Sequence, residues 1–292
     1  MSTKPEIALR VADLAESTRF YSECLGFKAM QQDHPDLALL DLGEFSFLLA
    51  GPAAPDLTPY LSQPSFIFQP GETLYMPIRL LSFQSADFDS RRAELAARVA
   101  AGVQVIEKPW GDRALEVRDP SGTPWRFWEE AHLSQADKLA LYERGPAELE
   151  ALLAPLSAAK LDLAQPGHWT IRQIVHHIAD GDALWSGALK AALAKSGTAY
   201  SHEWYSGNDA MELALDYAHR PIEPALALFR AHRAYFSEVI RHLPDAWERF
   251  VLFQHRDQAE DRVTVEEIVR SQATHALEHL EEIQDTLKAH GR

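Results

Sequence analysis

A chain of 292 residues, 46% hydrophobic and 24% charged, has the composition of a folded globular protein and the length of two domains of about 100–200 residues each. Its formal charge of −15 is shared: residues 1–132 carry 12 Lys and Arg against 19 Asp and Glu, and the remainder carries 16 against 24. Neither half offers the cationic footprint that displaces counterions from phosphates, so nucleic acid is excluded and a small-molecule substrate is the expected partner. The single cysteine, Cys24, excludes an intrachain disulfide framework. With no leader sequence and no run near ~18 apolar residues, no membrane span is expected and the predicted location is the cytoplasm.

In chain order, Ile7–Val11 reads as a strand and Leu14–Leu25 as a helix, capped by Asp13 and closed by Gly26. Short β-rich runs follow at Phe27–Gln31, Leu37–Leu42 and Phe45–Leu49, and Gly51–Pro70 reads as a long Pro-rich loop. The pattern then repeats: a strand near Leu74–Phe83, a helix over Asp87–Ala100, Gly102, and strands at Val103–Glu107, Arg113–Arg118 and Pro124–Glu129. This is βαβββ written twice.

The segments Arg10-Val-Ala-Asp-Leu-Ala-Glu-Ser-Thr-Arg-Phe-Tyr21, Cys24-Leu-Gly-Phe27, Asp119-Pro-Ser-Gly122 and Trp125-Arg-Phe-Trp128 resemble the glyoxalase/bleomycin-resistance/dioxygenase (vicinal oxygen chelate) superfamily over roughly residues 5–131. The resemblance implies an α+β fold of paired βαβββ modules around a shared cleft. Metal-dependent members ligate the ion from equivalent strand positions. Those fall here on Glu6, on Arg79 or Leu80, and on Arg126, where a Glu is usual. A guanidinium at a ligand position repels a metal, so this half is expected to hold none, and Glu6 also reads as a solvated carboxylate at a strand start. Phe66, Phe68, Trp110, Trp125 and Trp128 are candidates to line a cleft for a planar ligand, with Trp110, Trp125 and Trp128 as the substrate-binding set. The alternation also allows Trp125 and Phe127 to face the helices, with Trp128 on the other side.

From Leu133 the pattern becomes helical. Ser134–Leu156 forms one helix or a kinked pair, interrupted at Gly145-Pro146. Thr170–Ala194 opens with a Thr170/Gln173 capping box, Gly207–His219 is a shorter segment, Pro224–Leu243 is closed by Pro244, and Thr264–Ala289 opens with Thr264 and Glu267. Four long helices make an all-α four-helix bundle over 133–292, after a first domain at 1–132.

Histidine is distributed unevenly: of 13, only His34 and His132 precede residue 133. His275 and His279 stand four apart on the last helix beside the apolar stripe of Ile268, Ala276, Leu280 and Ile283. An i, i+4 pair projects from one face and can converge on one ion, although HxxxH in a His-rich segment also arises by chance. His177 lies on the second helix among Ile174, Ile178 and Trp185, and His176, turned by about 100°, is expected to look outward. Three imidazoles from two helices leave a coordination position open, as in catalytic sites. Asp180 can orient an imidazole or simply be exposed, and Trp204 and Tyr205 can cover the site or merely pack. His168, His202, His219, His232, His242 and His290 read as solvated or capping residues.

Trp169-Thr-Ile-Arg-Gln-Ile-Val-His-His-Ile-Ala-Asp180, Phe253-Gln-His255 before Thr264-Val-Glu-Glu267, and His275-Ala-Leu-Glu-His279 together resemble the DinB/YfiT-like family of four-helix metalloenzymes over roughly Leu133–Lys288. The resemblance implies His177, His275 and His279 as ligands of one divalent metal ion, zinc or nickel, and His255 as a helper. Many members follow the last ligand with Arg-Gly-Gln; this chain has Leu280-Glu-Glu282. Characterised relatives imply a low-molecular-weight thiol as cosubstrate, and members of both folds commonly form homodimers. The expected function is a metal-dependent enzyme of small-molecule detoxification, a thiol S-transferase or hydrolase, with a metal-free glyoxalase-like substrate-binding domain. The alternative is a non-catalytic bleomycin-resistance-type sequestering protein with a structural bundle.

Overall fold

The computed structural model describes residues 4–5, 7–43, 45–62, 67–205, 207–254 and 260–291. Backbone proximity divides the chain into two compact units, Met1–His132 and Leu133–Arg292.

In the first unit, β1 (Ile7–Arg10), α1 (Leu14–Glu23), β2 (Lys28–Gln31), β3 (Leu37–Asp41) and β4 (Ser46–Ala50) form the first module, with β5 (Ile67–Phe68) added beside β1. The second module is β6 (Leu74–Pro77), α2 (Phe88–Arg98), β7 (Gln104–Glu107), β8 (Arg113–Arg118) and β9 (Pro124–Glu129). The sheets run β2-β3-β4-β1-β5 and β6-β9-β8-β7, each pairing its module's first strand parallel to its last. Asp13 and Asp87 cap the two helices by accepting from Glu16 N and Ser90 N, as short carboxylates do at N-caps. Two details depart from the expected elements. The sixth strand ends at Pro77 and gives way to a 3₁₀ turn at Ile78–Leu80, and the Pro-rich loop contributes the two-residue β5.

One core joins both modules and both helices, including Leu9, Tyr21, Phe47, Met76, Leu95 and Trp125. Its polar centre is closed. Trp125 Nε1 donates to Tyr21 Oη (2.7 Å), which donates to Asp119 Oδ2 (2.7 Å), while Asp119 Oδ1 accepts from the amides of Ser121 and Thr123. The Asp-Pro-Ser-Gly turn and the first helix are thus locked together by one buried carboxylate, because buried polar groups must be paired.

The second unit is built from α3 (Gln135–Leu153), α4 (Ile171–Ala194), β10 (Thr198–Ser201), α5 (Asn208–Ala214), α6 (Glu223–His242), β11 (Phe250–Gln254), β12 (Asp261–Thr264) and α7 (Val265–Ala289). The long helices α3, α4, α6 and α7 pack as a four-helix bundle around Leu149, Ile174, Ile178, Phe229, Ile283 and Leu287. Both capping boxes close: Thr170 with Gln173 opens α4 and Thr264 with Glu267 opens α7. A small sheet, β10-β11-β12, lies in segments between these helices that the sequence pattern leaves as connections.

The expected break at Gly145-Pro146 does not occur; α3 runs through it. Proline lacks the N–H that would bond the carbonyl four residues back, which is that of Tyr142. That carbonyl instead accepts from Arg233 Nη1 at 2.8 Å. Arg233, 2% exposed on α6, also donates to Asp182 Oδ1 (2.7 Å) and Gln272 O (2.7 Å), with its guanidinium 3.9 Å from the Tyr142 ring centroid. Gly145 lets Phe229 of α6 pack closely on α3, since a Cβ there would stand 3.3 Å from the Phe229 ring.

Candidate metal centre

His177 projects from α4, and His275 and His279 from one face of α7, into the seam where these helices pack. The structure brings the three rings together. Their centroids are 4.9 Å (177–275), 4.7 Å (177–279) and 4.7 Å (275–279) apart, nearly perpendicular in the two pairs that include His279. His177 Nε2 and His275 Nε2 are 3.0 Å apart, and one ring nitrogen from each of the three lies within 4.8 Å of the other two. Imidazole nitrogens sharing one tetrahedral zinc stand about 3.3 Å apart, so the donor spacing fits a single ion after small ring rotations.

Two neighbours fix the geometry. Glu282, three residues after His279 on α7, accepts from His279 Nδ1 at 2.8 Å. That proton position leaves the Nε2 lone pair of His279 for the shared centre, the usual task of a carboxylate behind a metal-binding histidine. Burial alone would raise the Glu282 pKa, but hydrogen bonding and attraction to His279, with His168 nearby, hold it below the ordinary value. Gly181, one turn beyond His177, is the second. A Cβ there would lie 3.2 Å from His275 Cε1, so the missing side chain is what lets the ring sit against α4. Trp169, just before the α4 cap, presents its ring edge to His177 at 4.9 Å.

Two of the imidazoles, His177 and His275, are held neutral. Burial first, and the neighbouring His279 second, push the His177 pKa down to about 4 and that of His275 to about 2. Rings that resist protonation and converge nitrogen on nitrogen form a single tautomer-dependent hydrogen bond, between His177 and His275, whereas all three can offer a lone pair to a divalent cation.

The remaining assignments divide. His176 does not look outward: it is 1% exposed, stacked on Tyr217 at 5.5 Å, with Nε2 3.3 Å from Arg220 O. It belongs to a separate cluster in which the Asp180 carboxylate, near the Tyr217 hydroxyl, adds to burial in pushing the Tyr217 pKa up. His290 caps α7 through Thr286 O, and His219 pairs with Asp216 at the surface. His202 and His232 are tied inward, to Leu184 O and to Ser186. His168 stands 3.7 Å from Glu282, at the edge of the centre. Trp204 is 64% exposed and lies near His202. Glu6, Phe66 and His255 lie outside the described residues.

In the first unit the tryptophans do not act as one set. Trp125 is fully buried in the core and bonded to Tyr21, leaving no surface for a ligand, which corrects its place among the substrate-binding candidates. Trp110 is buried, with Nε1 donating to Asp112 Oδ2 at 2.7 Å. Trp128 stands on the opposite face of β9 from Trp125 and stays partly open. Arg126 pairs with Glu116 at 2.8 Å and so brings a cation where a metal would need a donor. Glu282 and Arg233 are the two residues the sequence pattern did not single out. The first was legible as a carboxylate one turn beyond a histidine, the second as an arginine inside the apolar stripe of Phe229, Phe236 and Ile240.

The sheets and the centre together define a protein of two joined domains, one of paired βαβββ modules and one a helical bundle. Residues 5–127 match the Glyoxalase/Bleomycin resistance protein/Dioxygenase superfamily, and residues 141–283 match the DinB superfamily. The chain therefore joins a glyoxalase-like domain to a DinB-like domain. Among solved structures it is similar to YfiT from Bacillus subtilis, described as "a probable metal-dependent hydrolase with an unusual four-helix bundle topology" (23% identity, 56% of this chain and 93% of that one, TM-score 0.49). It is also similar to virulence protein STM3117 from Salmonella typhimurium (21% identity, 45% and 98%, TM-score 0.32) and to lactoylglutathione lyase from Agrobacterium tumefaciens (22% identity, 44% and 94%, TM-score 0.32). Likenesses of this size carry no activity or substrate over. No curated protein matches the chain at a significant level.

Proposed function

We propose that the DinB-like domain is a metal-dependent enzyme acting on small electrophiles, as a thiol S-transferase or a hydrolase, and that the glyoxalase-like domain is its metal-free ligand-binding companion. The observation that carries this reading is the convergence of three imidazoles from two helices on one point, two of them held neutral. His177, His275 and His279 would hold the ion. When bound, a divalent cation supplies Lewis acidity that activates a water or thiol nucleophile near neutral pH.

The chain's own residues have distinct tasks in this scheme. Glu282 holds His279 in the tautomer whose Nε2 faces the centre. Trp169 and the apolar seam of Ile174, Ile178, Leu280 and Ile283 exclude water from the ligand side, which strengthens charge interactions there. Three protein donors leave the remaining coordination positions to cosubstrate and substrate. No helix among the described residues is long and apolar enough to cross a membrane, which agrees with a small polar or amphipathic substrate met in solution. A low-molecular-weight thiol is the proposed cosubstrate, and zinc or nickel suits a set of neutral nitrogen donors.

The test is metal analysis of tag-free protein. Wild type is expected to retain about one divalent ion per chain, and His275→Ala to lose it while far-ultraviolet circular dichroism stays unchanged. Equal metal content in both would overturn the assignment. Thiol-transfer and ester-hydrolysis assays on the metal-loaded protein then separate the two activities, and turnover that persists in His177→Ala would remove the metal from the mechanism.

A further inference from the structure

The second βαβββ module turns a polar and aromatic face away from its core. On β9, Trp125 and Phe127 enter the core, so Arg126 and Trp128 stand on the other side; on β8 the same alternation turns Glu116 and Arg118 away from that core, and on β6 it exposes Tyr75. Strand register places Tyr75 opposite Arg126 and Arg126 opposite Glu116, a row across three strands.

Within that row the charges do not balance. Glu116 is 4% exposed, and each of its oxygens is used: Arg126 Nε donates to one at 2.8 Å and Arg118 Nη2 to the other at 3.1 Å. Two guanidiniums thus face one carboxylate, leaving a net positive charge. Arg126 Nη1 donates to Tyr75 Oη at 3.2 Å, and its Nη2 has no partner among the described residues. The Tyr75 hydroxyl accepts that bond and keeps its own proton to donate. Tyr75 is 59% exposed, although a tyrosine on a sheet face is ordinarily half covered, and its ring lies nearly parallel to that of Trp128 (16°, centroids 6.3 Å apart).

We propose that this face is a binding site for a small planar aromatic carboxylate, with the ring laid on Tyr75 and Trp128 and the carboxylate accepting from Arg126 Nη2 and the Tyr75 hydroxyl. An unused planar donor next to an aromatic platform is the geometry that recognises such an anion, since guanidinium and carboxylate share a fork. The same arginine that excludes a metal from this module recruits a negative charge to it. The site rests on the reading of the glyoxalase-like domain as ligand-binding and needs no metal in the bundle.

The test uses the full-length protein and calorimetric titration with 1-naphthoate in the presence of a chelator. Saturable one-to-one binding is expected, with weaker binding of cyclohexanecarboxylate and of 1-naphthamide and none of 1-naphthylmethylamine. Arg126→Gln is expected to weaken naphthoate binding by about tenfold or more, the size of a lost charge-assisted hydrogen bond. Trp128→Leu keeps the charges and is expected to erase the preference for naphthoate over cyclohexanecarboxylate, so the proposal stays testable if Arg126→Gln, which leaves Glu116 with one partner, fails to fold. His275→Ala is expected to bind naphthoate as wild type does. Absence of saturable binding up to ~10 mM, equal affinity for acid and amide, or loss of binding in His275→Ala would each overturn the proposal.

Discussion

The two domains each carry polar groups where apolar packing would be simpler, and they settle them in opposite ways. In the glyoxalase-like domain Glu116 meets Arg126 and Arg118, so both carboxylate oxygens accept from a guanidinium and one positive charge is left over. In the DinB-like domain three imidazoles meet one another, ring nitrogen against ring nitrogen, with the Glu282 carboxylate behind His279. The surplus guanidinium calls for an anion, whereas converging ring nitrogens offer their donors to a cation. The bundle also contains a buried ion pair: Arg233 and Asp182, 2.7 Å apart, lie on α6 and α4, with Asp182 Oδ2 left without a hydrogen-bond partner among the described residues, and the Arg233 charge is one of the influences that lower the His275 pKa. The contrast is therefore one of partner chemistry and not of burial.

The largest effect is expected from breaking that buried ion pair. Arg233→Leu strands Asp182, frees the Tyr142 carbonyl that Pro146 cannot satisfy, and should cost about 3–5 kcal/mol of unfolding free energy, read from the urea midpoint of the helical transition. A change below ~1 kcal/mol would mean the network is not holding α3. Next comes the open cluster's one fixed partner. Glu282→Ala should weaken zinc binding by about 10- to 100-fold in competition with a chromogenic chelator, while Glu282→Gln, which keeps an acceptor, recovers part of the loss.

The contrast also has a pH signature. His177 and His275 titrate at about 4 and about 2 in the fold, against about 6.5 in an unfolded chain, so between those values the unfolded state binds more protons. Metal-free protein should keep this contribution above pH 6.5 and lose it progressively as pH falls from about 6.5 toward about 4. Chelator-treated protein in urea at pH 7 and pH 5 tests the sign; a flat midpoint would show that the rings are not desolvated. The smallest effect is expected at Gly181. Alanine there should favour the helix by roughly 0.5–1 kcal/mol yet press on His275, so metal affinity should fall while metal-free stability holds or rises. Parallel loss of both would place the strain elsewhere.

Much of this was open to reading along the chain. Alternation and Asp or Thr caps are local signals, and they place β1, α1, α4 and α7 close to their observed limits. Spacing marks His275 and His279 as a pair. Other features were closed to it. β10 is only four residues long and pairs with β11 some fifty residues later, so neither strand carries enough pattern alone. His176 is buried by Tyr217 and Arg220, more than forty residues away, and no helical phase reveals that.

The sequence by itself determined the two-domain order, the helix starts and which histidines share a helical face, because these depend on propensity and period over a few neighbouring residues. Tertiary structure alone decided that α3 survives Pro146, that Trp125 is core while Trp128 is surface, and that His177 meets a pair nearly a hundred residues downstream. Those outcomes rest on partners supplied by distant elements, and a side chain's chemistry is fixed only when such a partner, or its absence, is in place.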